Sequence, residues 1–530
     1  MSFLASRNTV IQKNKIDHKG TAKTTMKKSP VILHPFLFAI FPAISLVADH
    51  VRFISMNNTI VGMAIFTLVV TLLFLWVLSG MKIESHKAGI IVSCFLLLFF
   101  SYGHVFYLIS TTLPGFDFRH RHLLPIWGLL ILLLVYFSKV TNKNLSTYTI
   151  FLNAMGAFLV VLSVVQIVSY EISTRNVWEP VREFETADTG LNGSNTLPDI
   201  YYIILDAYAN ASTLREVYNF ENDEFIDHLQ DRGFFVAKES FSNYAMTRLS
   251  LSSSLNMAYL DKLSPNFGES DRGFELPRQM IENNNVMWFL KSKGYSFIFL
   301  GSGQGITQGN RYAVQDIRCG FVDEIVGRII QSTLIWPLAD RFHITENDDR
   351  HKILCMFAKL AEMPEMEGPK FIFAHILAPH LPFLFDADGN PVRDYNPDRE
   401  HIKQYYINQL IFVNKKAEEM VDEILLKSEV EPIIILQGDT GPPYGFEPEA
   451  ARHNPMGEIY QQNMRILNAY HLPNTGADLL YEGISPVNTF RLVFNLYFDA
   501  DFLLLDDQSY FSTNDQPYRF MNVTESVDYH

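Results

Sequence analysis

Apolar residues are distributed along this chain in two different patterns. Before residue 171 they form five nearly unbroken runs, at Val31–Val47, Thr59–Leu78, Ala88–Ile109, Leu123–Phe137 and Tyr148–Tyr170. A helix needs ~20 apolar residues to cross a ~30 Å hydrocarbon core. Each run therefore predicts a membrane span, the first and fourth being the shortest. From Pro198 onward the apolar segments are short and alternate with longer helical patterns. Strands are expected at Ile200–Leu205, Phe297–Leu300, Lys370–Leu377, Ile433–Leu436 and Ile466–Leu472. Helices are expected at Glu221–Asp231, Asn284–Ser292, Asp348–Ala361, Arg399–Lys427 and Pro486–Tyr497. Such alternation is the signature of a mainly parallel sheet covered by helices. The expected order is a basic polar tail over 1–30, five transmembrane helices over 31–170, a polar linker over 171–197 and an α/β domain over 198–530.

One strand organises that last domain. Ile200–Leu205 is β-branched, aromatic or leucine without a break, which suits a strand buried on both faces, and it stops at a carboxylate, Asp206. A second such strand, Pro432–Gln437, leads to Gly438-Asp439-Thr440-Gly441. Ligands of open α/β sheets bind outside the carboxyl ends of the strands. An acid there also reads as a helix N-cap or a turn residue. Two of them, with a hydroxyl-rich turn between, can form an oxygen-lined divalent metal site.

Charge and cysteine content narrow the picture. The formal net charge of −14 argues against a nucleic-acid partner, whose phosphates need a basic face. Three cysteines leave no disulfide framework and no cysteine-based zinc site. Cys319 and Cys355 read first as buried free thiols, or as a pair if their compartment is oxidising. Lys82, Lys87, Lys139 and Lys143 fall on the same side as the basic tail, and Arg52, Arg119 and Arg121 on the other. The positive-inside rule then puts the N-terminus in the cytoplasm and everything after Tyr170 outside. The loop Phe116–His122 faces that outer side, where it touches headgroups or the outer domain, or is simply solvated.

The turn Asn243-Tyr-Ala-Met-Thr-Arg becomes helical after Thr247. A hydroxyl at a helix N-terminus meets free N–H groups and the positive end of the dipole, a setting for an anionic phosphate or sulfate. Thr247 thus reads either as an ordinary N-cap or as a nucleophile, and Arg248 either as a contact to substrate oxygens or as a partner of a surface acid. Ser250, Ser252, Ser253 and Ser254 follow on successive helix faces and read as packing. In Ala374-His-Ile-Leu-Ala-Pro-His-Leu-Pro382, His375 lies at a strand end, and the prolines around His380 keep that imidazole in an extended loop. That placement suits a donor or general acid at a leaving oxygen, or a structural histidine.

Together these motifs resemble the alkaline phosphatase/sulfatase superfamily. The nearest likeness is to its membrane-anchored branch, which includes lipoteichoic acid synthases and phosphoethanolamine transferases. The likeness covers about residues 30–500 and extends to Ile466–Pro473 and Ile484–Arg491. The resemblance implies five spans and an outer α/β domain. It implies Asp206, Thr247 and Asp439 as metal ligands, Thr247 as nucleophile, and His380 as a contact to the substrate; His375 and Arg248 are further candidates for substrate binding. One or two divalent ions (Mn, Zn, Mg or Ca), a phospholipid donor and a glycan or lipid acceptor would follow. The sulfatase Cys/Ser-x-Pro-x-Arg signature is absent around Thr247, which disfavours a sulfate-ester hydrolase. At the second strand end the family has Asp-His-Gly, whereas this chain has Asp439-Thr440-Gly441. A threonine oxygen is a weaker ligand than imidazole for zinc or manganese. His453 and His471 are the neighbouring histidines that could substitute. The expected function is a membrane-anchored phospho-group transferase or phosphodiester hydrolase of the cell envelope; the alternative is a catalytically silent protein of that fold binding an anionic envelope glycan or lipid.

The charge bias makes a direct prediction about topology. A reporter enzyme active only outside the cytoplasm should work when fused after Tyr170 and be silent after Gly80. The reverse pattern would rule out this orientation.

Overall fold

The computed structural model describes residues 29–527 apart from 50–57, 113–117, 142–144, 174–177, 182–196, 264–272, 304, 323, 394–398, 443–456 and 474–478. Most of the basic tail, most of the linker and His453 therefore lie outside the described residues. The chain separates into two units. One comprises residues 1–175 and 325–344, and the other 176–324 and 345–530.

The first unit holds helices α1 (His34–Asp49), α2 (Asn58–Gly80), α3 (Ser85–Thr112), α4 (His120–Val140) and α5 (Ser146–Ser173). Among the described residues, α2 to α5 are long and apolar enough to cross a membrane. The fifth expected span, α1, has 16 residues, a rise of only ~24 Å, and carries Pro42 inside it. It nevertheless packs into the bundle through Phe38, Ala39, Ala43 and Val47. Its N-terminus is capped from α5: Asn153 Oδ1 accepts from the amides of Leu33 (3.0 Å) and His34 (2.8 Å), and its Nδ2 donates to Val31 O (2.7 Å). The first amides of a helix have no partner within it, and here a side chain of α5 supplies one.

The second unit is built on a seven-stranded sheet, β1 (Ile200–Leu205), β2 (Phe235–Val236), β3 (Ser296–Leu300), β4 (Gln315–Ile317), β5 (Lys370–Ile376), β6 (Ile433–Gln437) and β7 (Asn468–His471). Their order is β2-β7-β6-β1-β5-β3-β4. The five strands from β6 to β4 are parallel. β7 pairs antiparallel with both β6 and β2, so the sheet is mixed rather than wholly parallel. β1 is central and fully buried, which explains its unbroken apolar run. Tyr201, Ile203 and Leu205 enter the core on one face, while Ile200, Tyr202 and Ile204 enter the core on the other. The expected helices appear within a few residues, as Asp223–Asp231, Asn285–Ser292, Ile344–Glu362, Arg399–Lys427 and Pro486–Phe498.

Two features depart from the sequence reading. Cys319 and Cys355 are joined in a disulfide, not free, because the fold brings two segments 36 residues apart to a Cα separation of 5.8 Å. Residues 325–344, expected within the α/β domain, group with the membrane helices instead.

The loop after β6 is tightly seated. A Cβ on Gly438 would lie 2.5 Å from Tyr208 O, and one on Gly441 would strike Gln462 O. Neither backbone carbonyl can retreat without breaking the packing around it. Gly438→Ala should therefore lower stability by about 1–3 kcal/mol, the range for overpacking a filled core, as read from denaturant unfolding of the purified chain.

Candidate metal and phosphoryl-transfer site

Three neighbouring parallel strands, β5, β1 and β6, end side by side. Their ends bring together Asp206, His375 and Asp439, each buried, with one ligand atom apiece lying within 4.8 Å of the others. Asp206 follows directly on β1, where its amide donates to Ile376 O (3.0 Å) and extends the ladder by one residue. Ala207 then adopts a left-handed φ of 63°, unusual for a residue with a Cβ. Its amide donates to Asp439 Oδ1 (3.1 Å), so the turn links the two strand ends.

The orientation of His375 is set from behind. Nδ1 lies 2.7 Å from Thr307 Oγ1, which in turn lies 2.8 Å from Ser302 Oγ. With Nδ1 donating, Nε2 presents its lone pair, the arrangement seen in metal-ligating histidines. Nε2 is 3.2 Å from Asp206 Oδ2 without hydrogen-bond alignment. Asp206 Oδ1 and Asp439 Oδ2 are likewise buried without a hydrogen-bond partner among the described residues. Buried polar atoms are rarely left so. Three of them, on residues whose ligand atoms approach within 4.8 Å of one another, are what a divalent cation would satisfy, and two carboxylates with one imidazole are a suitable donor set for zinc or manganese.

The electrostatics agree. Burial and the neighbouring Asp206 push the Asp439 carboxyl up to about 6, while the adjacent Thr247 hydroxyl and the Ala207 amide favour its charge. Burial also raises Asp206, but His380 and His375 outweigh it and hold that carboxyl below the usual range. Two buried like charges have thus been driven apart in proton affinity. Burial pulls His380 down, yet Asp206 overrides it and the imidazole is raised.

Thr247 begins the helix Thr247–Asn256 and sits beside Asp439. The turn before it is clamped by Asn243, which is fully buried. Asn243 Nδ2 donates to Ser485 Oγ (2.9 Å) and Gln508 O (2.9 Å), and its Oδ1 accepts from the Val487 amide (2.8 Å). Two motifs far apart in sequence, Asn243–Thr247 and Ile484–Arg491, meet here. The His380 amide donates to Asp206 O (3.0 Å), and its Nδ1 donates to Leu381 O (2.6 Å). Gln409, from the helix Arg399–Lys427, holds this loop by donating to His380 O (2.9 Å) and accepting from the Leu384 amide (2.6 Å).

The remaining candidates fall elsewhere. His471 lies opposite Ile434, at the starting end of β6, with Nδ1 donating to Pro432 O (2.9 Å) and Nε2 3.4 Å from Glu431. That is the opposite end of the strand from Asp439, so His471 cannot replace a ligand there. His453 lies outside the described residues. Thr440 is buried next to Asp439, and the imidazole among the acids is that of His375, which the sequence reading placed with the substrate. Arg248 stacks its guanidinium 4.0 Å above the Phe274 ring, and burial lowers its pKa to about 10. The serines are packing, as expected: Ser252 Oγ donates to Arg248 O (2.6 Å), Ser253 Oγ donates to Ala258 O (2.8 Å) and Ser254 accepts from Tyr202 (3.0 Å). Thr307 and Ser302 were not legible as site residues; the only local signal is the glycine-rich stretch Gly301–Gly305 after β3.

No known family profile matches the chain, and no curated protein does. Solved structures do. The C-terminal periplasmic domain of EcEptC from Escherichia coli overlaps with a TM-score of 0.42 at 12% identity, covering 65% of this chain and 96% of that one. The integral membrane lipooligosaccharide phosphoethanolamine transferase A from Neisseria meningitidis overlaps with a TM-score of 0.41 at 12% identity, over 88% of this chain and 94% of that one. A putative sulfatase, yidJ, from Bacteroides fragilis gives 0.37 at 12% identity, over 62% and 84%. These neighbours are phosphoethanolamine transferases and sulfatases, the group to which the motifs point. Overlaps this loose carry nothing about chemistry, which the site residues must bear alone.

Metal titration tests the site directly. The purified chain should bind zinc or manganese, and Asp439→Asn or His375→Ala should each weaken that affinity by at least ~10–100-fold, the loss typical of even a supporting group. His471→Ala should leave it unchanged. Calorimetry reads all three, and equal affinities throughout would place the ion elsewhere.

Proposed function

We propose that this chain is a membrane-anchored, metal-dependent phospho-group transferase or phosphodiester hydrolase, acting on envelope lipid or glycan through Thr247. The observation that carries the reading is the meeting of Asp206, His375 and Asp439 at three adjacent strand ends, with the Thr247 hydroxyl beside Asp439 at a helix N-terminus. Asp206, His375 and Asp439, with Thr247, would hold the ion, which when bound supplies positive charge to lower the threonine's proton affinity and to steady phosphoryl oxygens.

The chain's own groups have distinct tasks. Thr247 Oγ1 forms the new bond to phosphorus as the bond to the leaving oxygen breaks, and its proton passes to the Asp439 carboxylate beside it. First-turn amides of the helix face the phosphoryl oxygens. His380 has its Nδ1 committed to Leu381 O, which leaves Nε2 to give its proton to the departing oxygen. Its raised proton affinity suits that task. An acceptor hydroxyl, or water, then attacks phosphorus and gives its proton to His380 Nε2, while the bond between Thr247 Oγ1 and phosphorus breaks and the proton held by Asp439 returns to Oγ1.

The finer assignments belong to the same reading. All five apolar helices cross the membrane, with the N-terminus cytoplasmic and the α/β unit outside; the Cys319–Cys355 disulfide supports that side, since such bonds persist in oxidising compartments. A membrane-tethered site suits a phospholipid donor and a glycan or lipid acceptor. The competing reading, a silent glycan- or lipid-binding protein, rests on Thr440. The imidazole of His375 among the acids favours a working site over it.

Trapping separates the two. Incubation of the full chain with a phospholipid labelled at its headgroup phosphate should give labelled phosphothreonine at Thr247. Thr247→Ala should abolish the label and lower turnover by at least ~10³-fold with unfolding unchanged, whereas Ser250→Ala should keep most activity. A label that survives Thr247→Ala, or equal loss in both variants, would sink the nucleophile assignment.

A further inference from the structure

The grouping of residues 325–344 with the membrane helices is unexplained by the catalytic reading. The excursion starts and ends on a locked base in the α/β unit. Cys319 and Cys355 are bonded. Asp348 accepts from the amides of Phe321 (2.9 Å) and Val322 (3.0 Å), and Lys352 Nζ, 3.2 Å from Asp348, donates to Val322 O (2.5 Å). Asp348 and Lys352 are both buried.

Beyond that base the chain enters the helical bundle. Ile325, fully buried, packs among Ala43, Val47, Ile60 and Ile167 of α1, α2 and α5. The Leu334 amide donates to Phe99 O of α3 (2.9 Å), and the Leu334 side chain packs against Tyr102, Leu123 and Trp127. Gly103 of α3 lies so close to Gln331 that a Cβ there would strike its carbonyl. Trp336 sets its ring against Phe106 and His120, at centroid distances of 5.0 and 4.9 Å. Phe99 to Phe106 precede the end of α3 at Thr112 by ~9–20 Å along its axis. The contacts therefore fall within the apolar length of α3.

The outward side chains of this segment are apolar as well. Leu338 is 59% exposed and Phe342 67%, and Ile335 is exposed beside them. The neighbouring surface of α3 is of the same kind, with Tyr107 and Leu108 exposed. Arg328 and Arg341 are the exposed cations of the segment. Apolar side chains with basic residues and a tryptophan are what lodges a short helix at the boundary between acyl chains and headgroups.

We infer that residues 325–344 form a lipid-facing insert, a part of the globular sequence that returns to the bundle and buries Ile335, Leu338 and Phe342 in the boundary of one bilayer leaflet. Continuity with the exposed apolar surface of α3 selects lipid as the occupant, rather than a second copy or a protein partner.

The test uses the full chain, disulfide intact, with Cys94→Ala to remove the free thiol. Leu338→Cys and Phe342→Cys, both at exposed positions, carry an environment-sensitive NBD label in phosphatidylethanolamine/phosphatidylglycerol nanodiscs. Leu426→Cys, exposed on the α/β unit, is the control. Labels at 338 and 342 should emit further to the blue than the control, be quenched by lipids spin-labelled high on the acyl chain, and be quenched by aqueous iodide at least about threefold less. Iodide quenching equal to the control at both positions would overturn the inference. A blue shift without quenching by lipid would overturn it too, by assigning the face to protein.

Discussion

Two carboxylates held at the ends of adjacent parallel strands are the constraint on which the α/β unit depends. An isolated charge buried in a protein interior costs several kcal/mol, and a second like charge beside it costs more. Asp206 and Asp439 are both buried. What makes the pair tolerable is the shell around it: the His375 and His380 imidazoles, the Ala207 amide and the Thr247 hydroxyl. Every one of these comes from a different stretch of chain or from a strained turn. The same shell leaves Asp206 Oδ1 and Asp439 Oδ2 without a hydrogen-bond partner among the described residues.

The shell explains much of the surrounding architecture. β1 must be central for its end to lie between those of β5 and β6. A central strand covered by helices on both sides must be apolar on both faces, as Ile200–Leu205 is. The left-handed Ala207 and the closely approached Gly438 are the places where backbone comfort yields to the geometry of the site. Asn243 and Gln409 do the corresponding work at longer range, answering backbone groups of loops that have no secondary structure of their own.

The chain passes between the two units after residues 175, 324 and 344. The excursion between the last two points starts and ends on a disulfide-closed base, so its ends are fixed however its tip is engaged.

The local pattern of the sequence was enough to determine the apolar runs, the central strand, the alternation of strands and helices, and the two strand-end acids. These are properties of neighbouring residues: hydrophobic period, unbroken β-branched stretches and glycine-flanked carboxylates. Proximity was not legible in the same way. The antiparallel seat of β7 sends His471 to the wrong end of β6, while the parallel pairing of β5 with β1 brings His375 beside Asp206. Thr307 behind that histidine, the joining of Cys319 to Cys355, and the membrane-side packing of 325–344 likewise depend on contacts between residues tens of positions apart. Strand register and chain crossing set those contacts, and only the tertiary structure decides them.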